Sequence, residues 1–415
     1  MKFTRLASAV ILCTASLPIL AASYTVTELA TDTLGQNQYG VSIDNTGTIL
    51  TVVENIYNAP VDLSTIDFES AEIIAGLTDI ESAMNGQYNL ADYTFLVNRA
   101  VSGSSNFSFI TQQIGRLQAY KTDGSANNFQ FINAFDTETQ ALDGFSHSME
   151  TTPRDSAAGT HIVGNTVGPF RPIDYVNEDG LNIHYILSDF DRRAFVQVGE
   201  NVTPLLPIDT TLGGTSQVNS INANYVVAGS GSIAASSELL TAEAACVDET
   251  TRGDQPIETC NRNIILATSG GNRTRRTGLW LQRAHVWSLD VEGTVVNTTS
   301  YGTLIKDGEP DSQGSSQALD VNNNGVSVGV ASIKTADGTI VTTAAALFLQ
   351  SGEVVQILED ENLLPNSAIA INDSGYIVGL RSQSINRIAR NKMFIYNMNE
   401  SNLPFSTDFF DTSNH

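Results

Sequence analysis

The sequence predicts an all-β fold, a β-propeller-like repeat of four-stranded units with a small helical insertion, and three observations predict it. The first is one phrase written three times: Ser216-Gln-Val-Asn-Ser-Ile-Asn-Ala-Asn-Tyr-Val-Val-Ala-Gly229, Ser316-Gln-Ala-Leu-Asp-Val-Asn-Asn-Asn-Gly-Val-Ser-Val-Gly329 and Ser367-Ala-Ile-Ala-Ile-Asn-Asp-Ser-Gly-Tyr-Ile-Val-Gly379. In each copy apolar residues alternate, break at Asn, Asp or Gly, and resume in a short apolar run, the pattern of a β-hairpin closed by a tight turn. The second is a set of apolar strands outside those hairpins, at 193–199, 284–290, 346–352 and 392–396, each followed by a turn and a further apolar run such as 352–358. Two hairpins per unit make a four-stranded sheet. The third is recurrence. The equivalent glycines at 229, 329 and 379 imply a period near 50 with one unit swollen or two counted together. All-β units of about 40 to 50 residues most often close into a propeller, and a chain of this length has room for about six to eight blades.

Taken in order, the chain opens with Lys2 and Arg5 ahead of an apolar run from Leu6 to Leu20 that ends in small residues. This is the pattern of a secretory signal peptide over 1–22, cleaved after Ala22. The run is too short for a stable membrane span and is interrupted by Pro18. The repeat domain then covers 23–400. A weaker copy of the hairpin begins at Gly40-Val-Ser-Ile-Asp-Asn-Thr-Gly47 and a degenerate one ends at His161-Ile-Val-Gly164. Between them, residues 62–100 change character. Ser64 is placed to cap a helix carrying Phe68, Ile73, Ile74 and Leu77, and Asn89 to cap a second carrying Ala91, Tyr93, Phe95, Leu96 and Val97. A second insertion, 236–278, holds a polar loop between Cys246 and Cys260 and the segment Gly270-Gly-Asn-Arg-Thr-Arg-Arg-Thr-Gly278. Residues 401–415 form a polar C-terminal tail.

Removing Lys2 and Arg5 with the signal leaves 19 basic against 45 acidic side chains, a net charge of about −26. Such a surface argues against nucleic acid and anionic membranes as partners and suits an exported protein, periplasmic, cell-surface or secreted. Cys246 and Cys260 are the two cysteines left, and in an oxidising compartment they predict a disulfide. Its loop is short, so it constrains the unfolded chain by about 3 kcal/mol at most, and the fold must rest on a large core.

Residue by residue, the candidate chemistry is thin. Arg273, Arg275, Arg276 and Arg283 form a dense basic patch on an acidic chain and could grip a carboxylate, a sulfate or an anionic sugar. Asp320, Asn322 and Asn324 stand at the first, third and fifth positions of a calcium-loop pattern, with Gly325 at the turn. Its twelfth position is Ala331, without the bidentate glutamate, and a hairpin turn explains the same residues. Arg252-Gly-Asp254 lies inside the cysteine loop with the composition of a receptor-binding tripeptide. Gly325-Val-Ser-Val-Gly329 has the spacing of a nucleophile elbow, but aligning the copies sets Ser327 against Ile377, within a strand and not on the strand-to-helix turn an elbow requires. His147, His161, His184 and His285 are scattered, without the close pairing of metal or acid–base sites. No catalytic residue is assigned from the sequence.

The hairpin motif, carried by Ile221, Asn222 and Gly229, by Val321, Asn322, Gly325 and Gly329, and by Ile371, Asn372, Gly375 and Gly379, resembles the extracellular HAF repeat, with Phe195, Trp287, Phe348 and Phe394 near its other strand. Within that group the chain resembles an uncharacterised family of exported proteins from Gram-negative bacteria. The resemblance runs from about 190 to 400. It implies export and a repeat fold and brings no activity. The strand that names the repeat has no complete His-Ala-Phe here, only Arg-Ala-Phe, Ala-His-Val and Ala-Leu-Phe. The expectation is therefore an acidic binding or structural module for a glycan or an extracellular protein, without a cofactor other than calcium. The alternatives are an extracytoplasmic carbohydrate-active hydrolase or lyase, and a calcium-stabilised adhesin.

Overall fold

A computed structural model describes residues 35–57, 63, 66–101, 113–124, 128–135, 150–167, 170–188, 190–268, 278–305, 314–334, 341–358, 365–385 and 388–399. The predicted signal peptide, the tail at 401–415, Ser64 and His147 lie outside the described residues. The fold is mostly β. Strands β1 (Gly35–Ile43), β2 (Ile49–Tyr57), β3 (Gln113–Thr122) and β4 (Gln130–Ile132) form the first antiparallel sheet, in chain order. The second contains β5 (Thr152–Ala157) and β6 (His161–Thr166) and, after a separate hairpin of β7 (Phe170–Val176) and β8 (Asn182–Ser188), β9 (Arg193–Val198) and β10 (Asn201–Leu205). The third is β11 (Ser216–Ile221), β12 (Val226–Ala235), β13 (Trp280–Leu289) and β14 (Val295–Ser300). The fourth is β15 (Ser316–Val321), β16 (Ser327–Lys334), β17 (Val341–Phe348) and β18 (Val354–Gln356). The fifth holds three strands, β19 (Asn366–Ile371), β20 (Tyr376–Ile385) and β21 (Ile388–Asn397). Among the described residues there are thus five meandering sheets and one hairpin; the length outside them goes to insertions.

Those insertions are helical. Between β2 and β3 stand α1 (Ala71–Gly76), α2 (Ile80–Met84) and α3 (Leu90–Val101), whose Ile73 and Leu96 pack with Leu63 and Ile66. Asn89 caps α3, its Oδ1 accepting the Asp92 N–H at 2.8 Å. Between β12 and β13 stand α4 (Ser237–Val247), α5 (Glu249–Arg252) and α6 (Ile257–Thr268). They account for the doubled spacing between Gly229 and Gly329: one unit is swollen. The segment between the cysteines, read from its polarity as a loop, contains α5, because Asp248 accepts the Thr250 N–H and starts a turn there.

Successive sheets pack on one another, and the same positions make each junction. Val163, Val196 and Leu205 of the second sheet meet Val218, Ile221 and Trp287 of the third. Ala228 and Val286 then meet Ala318, Val321 and Phe348, and Val328, Ala345 and Leu347 meet Ala368, Ile371 and Phe394. Trp287, Phe195, Phe348 and Phe394 are among the largest fully buried side chains. The first strands of the third, fourth and fifth sheets are also fastened to the third strand of the preceding sheet. Ser216 Oγ accepts the Ala194 N–H at 3.1 Å, Ser316 Oγ accepts that of Ala284 at 2.9 Å, and Asn366 Oδ1 accepts that of Ala345. A bulge recurs in every first strand, at Gly40/Ser42, Pro153/Asp155, Val218/Ser220, Ala318/Asp320 and Ala368/Ala370.

The repeat glycines permit this approach. A Cβ at Gly229 would run into the Gln217 carbonyl oxygen and the Trp287 ring; at Gly379 it would meet the Ser367 carbonyl oxygen and the Phe394 ring. Gly229→Ala is therefore expected to cost at least about 2 kcal/mol of unfolding free energy in a urea titration, as overpacking against backbone does. Gly302→Ala, with open space around it, should stay within about 0.5 kcal/mol of the parent.

His285, in β13, is fully buried. Its Nδ1 donates to the Arg283 carbonyl at 3.0 Å and its Nε2 accepts the Ile208 N–H at 3.4 Å, so the ring is neutral. Burial pushes its pKa down from 6.5 to about 4. The unfolded chain takes up this proton before the folded one does. The contribution of His285 is accordingly full above pH 6.5 and lost as pH falls toward 4, a loss of roughly 3 kcal/mol. Urea midpoints measured across that window should fall more steeply for the parent than for His285→Leu; equal slopes would exclude this role.

Candidate functional site

The turn between the first two strands of the third, fourth and fifth sheets uses one residue to build itself. Asn322 Oδ1 accepts the Asn324 N–H at 3.1 Å and the Val326 N–H at 3.0 Å, and Asn222 Oδ1 accepts from Asn224 and Val226 at 2.9 Å each. The amide nitrogens reach onward: Asn222 Nδ2 donates to the Asn322 carbonyl at 2.7 Å and Asn322 Nδ2 to the Asn372 carbonyl at 3.2 Å. Asp320 is spent likewise. Its carboxylate accepts from Ser220 Oγ at 2.7 Å, from its neighbour Val321 N–H at 2.9 Å and from the Ile371 N–H at 2.8 Å, so it ties the third, fourth and fifth sheets together. Burial raises its pKa. Asn324 Nδ2 donates to the Asp373 carbonyl at 3.0 Å. The oxygens of Asp320 and Asn322 that a calcium loop would use thus already hold backbone N–H groups. Among the described residues no group of three or more His, Cys, Asp or Glu is arranged to hold a metal ion.

The remaining sequence candidates fall in different places. Cys246 and Cys260 form the disulfide, with Cα atoms 5.7 Å apart, linking α4 to α6. Arg273, Arg275 and Arg276 lie outside the described residues. Arg283 is buried in β13 and donates through Nη1 to the carbonyls of Gln282 at 2.9 Å and Gly314 at 2.8 Å, so its guanidinium braces the third sheet against the strand entry of the fourth. In the Arg-Gly-Asp tripeptide, Arg252 turns back to the Cys246 carbonyl at 3.0 Å and the Asp254 carboxylate accepts the Glu178 N–H of the β7–β8 hairpin. Both side chains are engaged within the molecule. His161 stacks on Tyr225 with ring centres 3.9 Å apart, and Ser327 is buried inside β16, with no strand-to-helix turn near it.

What the structure does bring together is a cavity of about 870 Å³ between the third and fourth sheets. Gln217 and Ser230, cross-strand partners on β11 and β12, form one wall. Ser316 and Gln317 of β15, the latter equivalent to Gln217, form the other, while Trp280, Gln282 and the start of α4 at Ser236–Ser237 complete it. Gln217 and Gln317 are half-buried. Trp280 is fixed by Nε1 donating to the Thr211 carbonyl at 2.9 Å, and Ser236 Oγ is occupied by capping α4 through the Leu239 N–H. Among the described lining residues none is ionisable; amides, hydroxyls, one indole and the apolar Ala234, Ala235 and Leu281 form the wall. Gln217 and Gln317 stand at the same position of two copies, but in the sequence each reads only as the start of a strand.

A second, smaller cavity of about 130 Å³ lies between the first and second sheets and differs in kind. The carboxylates of Glu150 and Asp191 line it together with Arg154 and Arg192. Asp191 is held by Arg262 of α6, whose Nη1 lies 2.6 Å from Oδ1.

No functionally curated protein matches the sequence. Among solved structures, the chain overlaps a polysaccharide lyase of family PL25, an ulvan lyase bound to -[GlcA(1-4)Rha3S]-, at 8% identity and a TM-score of 0.34, over 88% of this chain and 68% of that one. It overlaps the isopeptidase AtxE2 in its apo form at 12% identity and a TM-score of 0.21, over 68% of this chain and 39% of that one. Neither overlap is close enough to bear on the reading of the cavities. At the level of the family the match is complete: over residues 1–415 the chain belongs to the family described as Protein of unknown function (DUF3466).

Proposed function

We propose that this protein is an exported, propeller-like module that binds a neutral, polyhydroxylated ligand, a glycan by chemical class, in the cleft between its third and fourth sheets. The observation that carries the reading is the lining of that cleft: Gln217, Gln282 and Gln317 offer paired donors and acceptors, serines offer hydroxyls and Trp280 an indole, with no ionisable group among them. Such a wall recognises hydroxyls by hydrogen bonding and supplies no acid, base or nucleophile of suitable pKa, which favours binding over turnover. Export is supported by the charged, apolar and small-residue succession of 1–22 and by the disulfide. The propeller-like arrangement is supported by five serial sheets joined at equivalent positions.

Calorimetric titration with neutral oligosaccharides and, separately, with oligouronates tests the reading. Binding of a neutral series is expected, weakened tenfold or more by Gln217→Ala combined with Gln317→Ala, since two hydrogen bonds of about 1 kcal/mol each are lost. Absence of heat with every neutral series, or affinity unchanged in the double variant, would sink it.

The smaller cavity favours a second reading, a carbohydrate-active hydrolase or lyase, because Glu150 and Asp191 converge there beside two arginines. On that reading, release of new chain ends from a polysaccharide should be measurable and should disappear in Glu150→Gln.

A further inference from the structure

The fifth sheet differs in charge from the body that carries it. Residues 374–399 hold four of the chain's 21 basic residues and none of its 45 acidic ones. Three of them, Arg381, Arg390 and Lys392, lie on β20 and β21, and the ladder gathers these on one face. Arg381 stands directly opposite Lys392, and Arg390 follows two positions along, opposite Gln383; residues opposite or two apart share a face of a sheet. It is the face of Phe394, turned toward the fourth sheet. β19 pairs with β20 no further than Asn366 and Arg381, so beyond that pair the two strands run on as a two-stranded arm, to Ile385 and Ile388.

This charge is not balanced locally. Among the described residues none of the three side chains is paired with an acid, and Arg381 Nε is buried without a hydrogen-bond partner. Like charges directly opposite on a sheet destabilise it. The same position elsewhere is used differently. Counting from the residue that faces the repeat glycine, Lys392 corresponds to Arg193 of the second sheet and Arg283 of the third. Those arginines are buried and donate to the carbonyls of Gly213 and Gly314, whereas Lys392 is half-buried and reaches no such carbonyl among the described residues. The acid of this sheet, Asp373, lies in the turn at its other end. From Tyr376 to Arg381 the strand climbs about 17 Å, twice the screening length of about 8 Å at physiological salt. The Asp373 carboxylate is in any case spent on Asn323, accepting its N–H at 2.7 Å and its Nδ2 at 2.8 Å.

We propose that this face of the arm binds an oxyanion, a carboxylate or sulfate group, held by the planar forks of Arg381 and Arg390 with Lys392 as a third charge. The anion offsets the repulsion between Arg381 and Lys392 and gives Arg381 Nε an acceptor. A compact charge fits the site; an extended polyanion such as nucleic acid would have to lie along a body carrying 45 acidic side chains. The site is separate from the cleft between the third and fourth sheets and does not rest on the ligand assigned there.

Thermal melts in millimolar sodium sulfate, set against sodium chloride of equal ionic strength, test the site. The Tm of the parent should rise with sulfate and saturate, as binding to the folded state does and general salting does not. Lys392→Met, which keeps the aliphatic stem, should melt above the parent in chloride, because a repulsion is removed, and should lose most of the sulfate increment. Calorimetry separates a free anion from one carried by a sugar. Sulfate and a short oligogalacturonate should each bind, with affinity lowered about tenfold or more by Arg390→Gln and unchanged by Gln217→Ala combined with Gln317→Ala. An oligogalacturonate affinity far above that of acetate identifies a sugar-borne carboxylate, and comparable affinities identify a free anion. The proposal is overturned if the sulfate increment fails to saturate, if it survives in both Lys392→Met and Arg390→Gln, or if Lys392→Met melts below the parent in chloride.

Discussion

In the third, fourth and fifth sheets one side chain, the turn asparagine, sets the constraint on which the rest depends. Its oxygen must accept two backbone N–H groups to close the hairpin, and its nitrogen must donate to the carbonyl of the next hairpin. The asparagine amide accepts through one atom and donates through another; aspartate closes the turn but has nothing to donate. The first sheet shows the converse. There Asp44 closes the turn through Thr46 and Thr48, and its second oxygen accepts the Gly159 N–H of the next sheet at 2.7 Å, so the direction of the bond is reversed. Despite the cost of burial, those N–H and hydroxyl donors hold its pKa below the usual carboxylate value.

With the turns fixed in register, the junctions below them follow. The bulge beside each first strand turns the next residue toward the neighbouring sheet, and there Ser42, Asp155, Ser220 and Asp320 alternate hydroxyl and carboxylate. Asp155 accepts from Ser42 on one side and from the Ile221 N–H on the other, as Asp320 does from Ser220 and Ile371. A buried carboxylate is costly unless hydrogen-bonded, and here it is bonded across two junctions at once. Beneath, Gly164, Gly229 and Gly379 leave room for the rings of Phe195, Trp287 and Phe394 to approach the strand.

Much of the architecture was legible because it is local and repeated. The hairpins at 216, 316 and 367, the outer strands near Phe195, Trp287, Phe348 and Phe394, the Asn89 cap and the cysteine pair depend on residues a few positions apart. The bonds that join one sheet to the next span 50 or 100 residues, and no periodicity specifies which carbonyl an amide will reach. The helical character of the insertion around α4–α6 was hidden by its polarity. The cleft was hidden for a different reason. Gln217 and Gln317 hold the same position on two strands, and only their juxtaposition across a junction turns strand residues into a wall.

The contrast between the cleft and the body that holds it is itself informative. A chain with 45 acidic side chains repels anions at a distance, with a reach set by the ionic strength. A site meant for acidic glycans would need fixed cations to offset that field; Arg283 is buried against carbonyls beside the cleft and is not among the described residues that line it. A neutral ligand feels no such barrier. On the proposed reading the acidic body acts as a filter by charge and the amide-lined cleft as a filter by hydrogen-bond pattern, the two together favouring uncharged polyols.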